Sequence, residues 1–176
     1  SLDQKIQKYF DYQSGFYLEI GANNGIEQSN TFFLEKEKNW NGVLIEPILH
    51  KYLECKKNRS NKNKFFNIGC SKFNEKNDAL FLNSDDYSIC KDLVDQDYLK
   101  WHLNKQIQSN KKMQKTNIKL KPLNSILIEA KSPKLIDFFS LDVEGMEMNV
   151  LNGIDFNNFN FKYLLVECSN KYKYKE

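Results

Sequence analysis

Two short apolar runs, each closing on a polar turn or a carboxylate, constrain this chain more than any other feature. Residues 16–20 read FYLEI and pass directly into Gly21, Ala22, Asn23, Asn24 and Gly25; a helix length later, VLI at 43–45 ends in Glu46. A strand, a glycine turn, a helix and a second strand ending in an acid is how an α/β fold grips the two ends of a nucleoside. Gly21 permits a tight backbone turn, and Gly25 lets the next helix begin close to a ligand. Glu46 stands where a carboxylate accepts hydrogen bonds from both hydroxyls of a ribose.

The glycine spacing separates two kinds of nucleoside. A dinucleotide site needs G-x-G-x-x-G, because the pyrophosphate lies against bare backbone at the helix N-terminus. Asn23 occupies the place of the second glycine here, and Glu19 sits two residues before Gly21. A carboxylate at that point repels a pyrophosphate and suits a ligand with an ammonium and a sulfonium group. The residues therefore favour S-adenosylmethionine over NAD.

The 176 residues suffice for one domain with one sizeable core. The net charge of +3 is a mild bias, and Arg59 is the only arginine among the 26 basic residues. Readers of nucleic acid place arginines on phosphates and guanines, so this balance argues against such a partner. Cys55, Cys70, Cys90 and Cys168 form no CxxC pair, which argues against a zinc ribbon and for reduced thiols in a cytoplasmic protein. No apolar run approaches the roughly 18 residues of a membrane span, and the N-terminus lacks a signal-peptide core.

Apolar periodicity predicts a short amphipathic helix over 3–11 and strands at 16–20, 42–46, 64–69, 78–83 and 118–121. Helices are expected over 28–38, 48–57, 94–108, 124–130 and 146–152. The apolar run 135–143 carries Asp142 near its end, and a last strand covers 163–167. Strands alternating with helices imply a mostly parallel sheet with helices on both faces, whose ligands sit beyond the carboxyl ends of the strands. Glu19, the turn 21–25, Glu46, Asn67 to Cys70, Asp142 and Glu167 are thereby expected on one rim. Residues 84–117 are the least regular stretch. Between Asp97 and Glu129 there are seven lysines and no acid. This reads either as a solvated helix and loop or as a lid or docking patch for an acidic substrate.

With those residues in view, the chain resembles the FkbM-type S-adenosylmethionine-dependent methyltransferases. One block comprises GFYLEIGANNG at 15–25, SNTFFLE at 29–35 and WNGVLIEP at 40–47; the other comprises PLNSIL at 122–127, SLDVEGME at 140–147 and LNG at 151–153. The pair Asn58-Arg59 lies between them. The resemblance implies a class I methyltransferase sheet, Rossmann-like, in a single domain over 1–176, with 84–117 as a variable lid or substrate segment. It implies methylation of an oxygen, such as a sugar hydroxyl of a polysaccharide or glycosylated metabolite. It also implies that Glu19, Gly21, Ala22, Asn23 and Gly25 line the methionine and ribose part of the cofactor, and that Glu46 binds the ribose. Ile68, Gly69 and Cys70 would then lie near the adenine, and Asp142 beside the methyl group. Sheets of this class continue past the fifth strand with a helix and an antiparallel strand pair. Only nine residues follow Glu167, so that pair is expected to be missing, and the exposed edge would invite a second copy to form a homodimer.

A sugar hydroxyl is weakly acidic, so a base that takes its proton as the new bond forms assists the reaction. Asp142 and Glu144 are the nearest candidates. Glu147 could share Glu144's side of the following helix, although acids at a helix start also stabilise its dipole. A metal-assisted version, with Asp142 and a neighbouring carboxylate holding Mg2+, is the weaker alternative because no histidine stands near either. His50 and His102 read as surface residues. The Asn-Pro-Pro-Tyr signature of enzymes that methylate base nitrogens is absent. A competing, non-catalytic reading keeps the fold and docks an acidic partner through the lysine-rich 98–121.

Overall fold

The computed structural model describes residues 6–84, 88–109 and 113–167. After a 3-10 turn (Gln7–Tyr9) the chain runs β1 (Phe16–Ile20), α1 (Phe32–Lys38), β2 (Asn41–Ile45), α2 (Leu49–Asn58), β3 (Lys64–Phe66), β4 (Gly69–Ser71), β5 (Asp78–Asn83), β6 (Ser88–Cys90), α3 (Gln96–Ser109), β7 (Gln114–Pro122), α4 (Leu123–Glu129), β8 (Leu135–Leu141), α5 (Glu147–Leu151) and β9 (Asn160–Val166). Cys168 lies outside the described residues, and so do residues 3–5 of the expected 3–11 helix and residues 110–112 within the lysine-rich stretch.

Five strands form a wholly parallel sheet in the order β3-β2-β1-β8-β9. Successive side chains of a strand face opposite ways, and in β1, β2 and β8 both faces are covered. Leu18, Ile20, Val43, Ile45, Phe139 and Leu141 pack with Leu123, Ile126 and Leu127 of α4 and Val150 of α5. On the other face Tyr17, Leu44 and Phe138 pack with Phe10, Leu34, Trp40 and Cys55. Burial on both faces explains why these strands read as near-continuous apolar runs.

The expectation of one sheet is corrected to two. The run 64–69 is not a single strand, because β3 ends at Phe66 and β4 begins at Gly69 in a second sheet of order β4-β7-β5-β6. Asn67 makes the break. Its Nδ2 donates to the carbonyls of Glu46 and Pro47, both at 2.9 Å, which draws the chain across the end of β2. Within the second sheet β4 pairs parallel with β7, while β5 pairs antiparallel with β6 and β7. The stretch 84–117 is thus more regular than expected. It supplies β6, α3 and the start of β7, and its apolar residues build a separate cluster with Tyr98, Leu99, Ile118 and Met146.

Helix α1 begins at Phe32 rather than residue 28, because residues 29–31 are held by Glu19. Its carboxylate accepts Ser29 Oγ at 2.9 Å, Asn30 N at 2.7 Å and Thr31 Oγ1 at 2.6 Å. No described helix is long and apolar enough to cross a membrane. Among the described residues Cys55, Cys70 and Cys90 are buried free thiols, and burial raises the pKa of each, to about 12 for Cys55 and about 11 for Cys90.

Candidate functional site

The parallel sheet ends level. Ile20 pairs with Ile45 and Leu141, Ile45 with Phe66, and Leu141 with Val166. The next residue of each strand therefore stands in one row: Asn67, Glu46, Gly21, Asp142 and Glu167. Backbone bonds carry the row one step past the sheet, from Gly21 N and Ala22 N to Ile45 O, Asp142 N to Ile20 O, and Glu167 N to Leu141 O. Gly21 has φ +82°, and a Cβ there would lie 2.1 Å from the Asp142 carbonyl oxygen. Only a glycine lets the first turn and the end of β8 touch in this way.

A half-open cleft lies above the row. One wall carries Gly21, Asn23, Gln28, Glu46, Pro47 and Lys51. The floor carries Ile68, Gly69 and Cys70, and the far end carries Asp142, Val143, Glu144 and Met146; Phe81 and Ser88 reach in from the second sheet. Three acids and one lysine face this space. That balance favours a cation and disfavours a pyrophosphate.

Glu46 is buried, with Asn23 N donating to its Oε2 at 2.9 Å and Ile48 N to its Oε1 at 2.8 Å. Each oxygen keeps lone-pair capacity for a further donor. Burial raises its pKa from 4.5 to about 7, against the pull of those two amides and of Lys51. The folded chain thus holds a proton that the unfolded chain has lost between about pH 4.5 and 7, and stability falls as pH rises through that window. Thermal unfolding of the unliganded protein should show this fall, and Glu46→Gln should remove the Glu46 share of it.

At the far end one oxygen each of Asp142, Glu144 and Glu167 come within 4.8 Å of one another. Burial, a hydrogen bond with Glu167 and the charges of Glu167, Glu144 and Glu147 all push the Asp142 carboxyl far above the usual range. Burial also raises Glu144, opposed by a hydrogen bond from Tyr98 and by Lys105. Glu147 turns back on its own loop, where its Oε1 accepts Gly145 N at 3.1 Å.

Glu19, Ala22 and Gly25 do not line the cleft. Glu19 belongs to a buried knot behind the glycine turn, centred on Arg59. Arg59 Nε donates to Glu35 Oε2 at 2.8 Å, Nη1 to Gly25 O and Ser29 Oγ, and Nη2 to Tyr17 Oη and Thr31 Oγ1. All five guanidinium donors are used, and Glu19 Oε2 lies 3.6 Å away. Burial works upward on Glu35, yet the Arg59 bond and charge outweigh it and hold the carboxyl down at about 2. Gly25 abuts the knot, since a Cβ there would meet Arg59 Cγ at 2.8 Å. Arg59 is plain in the sequence as the lone arginine, but nothing there gives its place in this knot. The rim position of Glu167 follows from the strand pattern, its hydrogen bond with Asp142 does not, and nothing in the motif pattern signals Phe81 or Ser88. His50 is exposed, as expected, but His102 is buried on α3 beside Tyr98 and Trp101.

A parallel sheet whose strand ends form the base of an acidic cleft defines an α/β protein with its candidate site at the carboxyl ends of its strands. The chain matches the family described as "Methyltransferase FkbM domain" over residues 19–176. It belongs to the FkbM methyltransferase family, and it is an S-adenosylmethionine-dependent methyltransferase. Comparison with curated proteins and with solved structures gives no match. Family membership sets aside the non-catalytic reading of the fold.

Proposed function

We propose that the protein transfers the methyl group of S-adenosylmethionine to an oxygen of a carbohydrate or related small molecule, in a class I, Rossmann-like site on the row of strand ends. The level row beneath an acidic cleft carries this reading. Glu46 receives the ribose hydroxyls, and Gly21 and Asn23 shape the turn beneath the sugar. Ile68, Gly69 and Cys70 form the apolar bed for the base. Glu19 and Gly25 act from behind, by holding the turn through Arg59, and Ala22 packs in the core and accepts Gly25 N across the turn. When bound, S-adenosylmethionine supplies an activated methyl group and a good leaving group.

This chain's own part is then to align the acceptor and take its proton. Asp142 is the candidate base, with Glu144 beside it. A cation next to Asp142 favours its ionised form, which is the form that accepts a proton. The carboxylate cluster needs no Mg2+ in this scheme. A sugar hydroxyl fits the acceptor end because carboxylates accept hydrogen bonds from hydroxyl groups.

Calorimetry tests the cofactor reading. S-Adenosylmethionine and its demethylated product should both bind and NAD should not; silence with both nucleosides would refute it. Affinity should rise with pH through about 7 as Glu46 ionises and becomes a stronger acceptor for the ribose. Glu46→Gln should bind at least about tenfold more weakly at high pH, the scale of a lost hydrogen bond to a charged group.

A further inference from the structure

Helix α3 belongs to the segment between the two motif blocks, yet one of its side chains reaches the far end of the cleft. Tyr98 is buried, and its hydroxyl donates to Glu144 Oε2 at 2.9 Å. Its ring lies against the same loop, where a Cβ on Gly145 would meet Tyr98 Cε1 at 2.8 Å. Glu144 and Gly145 are consecutive left-handed residues, with φ of 51° and 91°. A glutamate adopts that backbone rarely and only where its surroundings fix it. Glu147 fixes the loop from below through Gly145 N, and Tyr98 fixes Glu144 from the side of α3. Lys105, two turns further along α3, adds a favourable charge to Glu144.

We propose that Tyr98 is a positioning residue of the methyl-transfer site, whose hydroxyl holds the Glu144 carboxylate at the acceptor end of the cleft. The segment between β6 and β7 is on this account part of the reaction centre. A phenylalanine would pack against Gly145 equally well, so the hydroxyl is the atom that matters. The inference rests on the proposed cofactor reading of the cleft.

Two probes separate positioning from packing: S-adenosylhomocysteine, and sinefungin, the cofactor analogue bearing an amine at the methyl position. Binding of both is measured by calorimetry. Tyr98→Phe should bind S-adenosylhomocysteine within about twofold of the unsubstituted protein and lose about tenfold for sinefungin, the scale of a hydrogen bond to a charged group. Once Glu144→Gln is in place, adding Tyr98→Phe should cost sinefungin nothing further, because the two residues act as one unit. Equal weakening of both probes, no weakening of sinefungin, or additive losses in the double variant would overturn this inference alone. Failure of the unsubstituted protein to bind either probe would overturn the cofactor reading and this inference with it.

Discussion

Arg59→Ala is expected to destabilise the protein by about 3–5 kcal/mol, the scale for removing one partner of a buried ion pair. The side chain has no exposed surface, and its donors end on groups from four places in the chain: Tyr17 in β1, Gly25 in the turn, Ser29 and Thr31 before α1, and Glu35 within it. Alanine would take the buried cation from Glu19 and leave Glu35 with only the half-exposed Lys36 ammonium, 3.1 Å from its Oε1. Urea unfolding measures the loss. Arg59→Lys keeps a charge but lacks the planar fork, so it should recover only part of it. A fall below about 1 kcal/mol for the alanine variant, the range of an exposed pair, would show that the knot is not the anchor of the glycine turn. The same knot sets an acid limit. Glu35 is held near 2 against 4.5 when unfolded, so its contribution is complete above about pH 4.5 and is lost as pH falls toward 2.

Asp142→Asn is expected to lower methyl transfer by about 10²–10⁴-fold, the usual share of a positioned base, while cofactor affinity changes by only a few-fold. Asparagine keeps the shape and can still hydrogen-bond Glu167, but it cannot accept the acceptor's proton. The assay is incorporation of labelled methyl from S-adenosylmethionine into a panel of mono- and oligosaccharides. Rates for the unsubstituted enzyme should climb with pH as the raised Asp142 carboxyl ionises, and that climb should vanish in the variant. Full activity in Asp142→Asn would place the reaction centre elsewhere on the rim.

Much of this site was legible because each signal was local. The run 16–25 shows its strand, its turn and its glycines without a partner, and Glu46 follows directly from an apolar run. Asp142 stands out in the same way, at the end of the longest apolar strand. What could not be read depends on distant pairing. Residues 64–69 look like one strand because Phe65, Phe66 and Ile68 are apolar throughout; only the Asn67 amide, bonded to carbonyls some twenty residues earlier, shows that the chain changes sheets. The expected helix opens at residue 28, yet the buried Glu19 carboxylate holds residues 29–31 in a loop. The same distance problem hid Glu19 itself. An acid two residues before a glycine turn looks aimed at a ligand until Arg59 is found behind it. Tyr98 had no signal, since its meaning lies in a glutamate more than forty positions away.

The pairing of β4 with β7 carries an evolutionary consequence. Ser71 lies opposite Pro122 in that ladder, so the chain departs from the parallel-sheet side of the site and returns to it at neighbouring points. A segment whose two ends are already fastened together can be lengthened, shortened or replaced at a closure cost that grows only slowly with its length. On the proposed reading of the site, the cofactor half and the acceptor half could then vary independently of each other. Grafting the stretch between those strands from another member of the family is the natural route to a new acceptor, with the donor half left untouched.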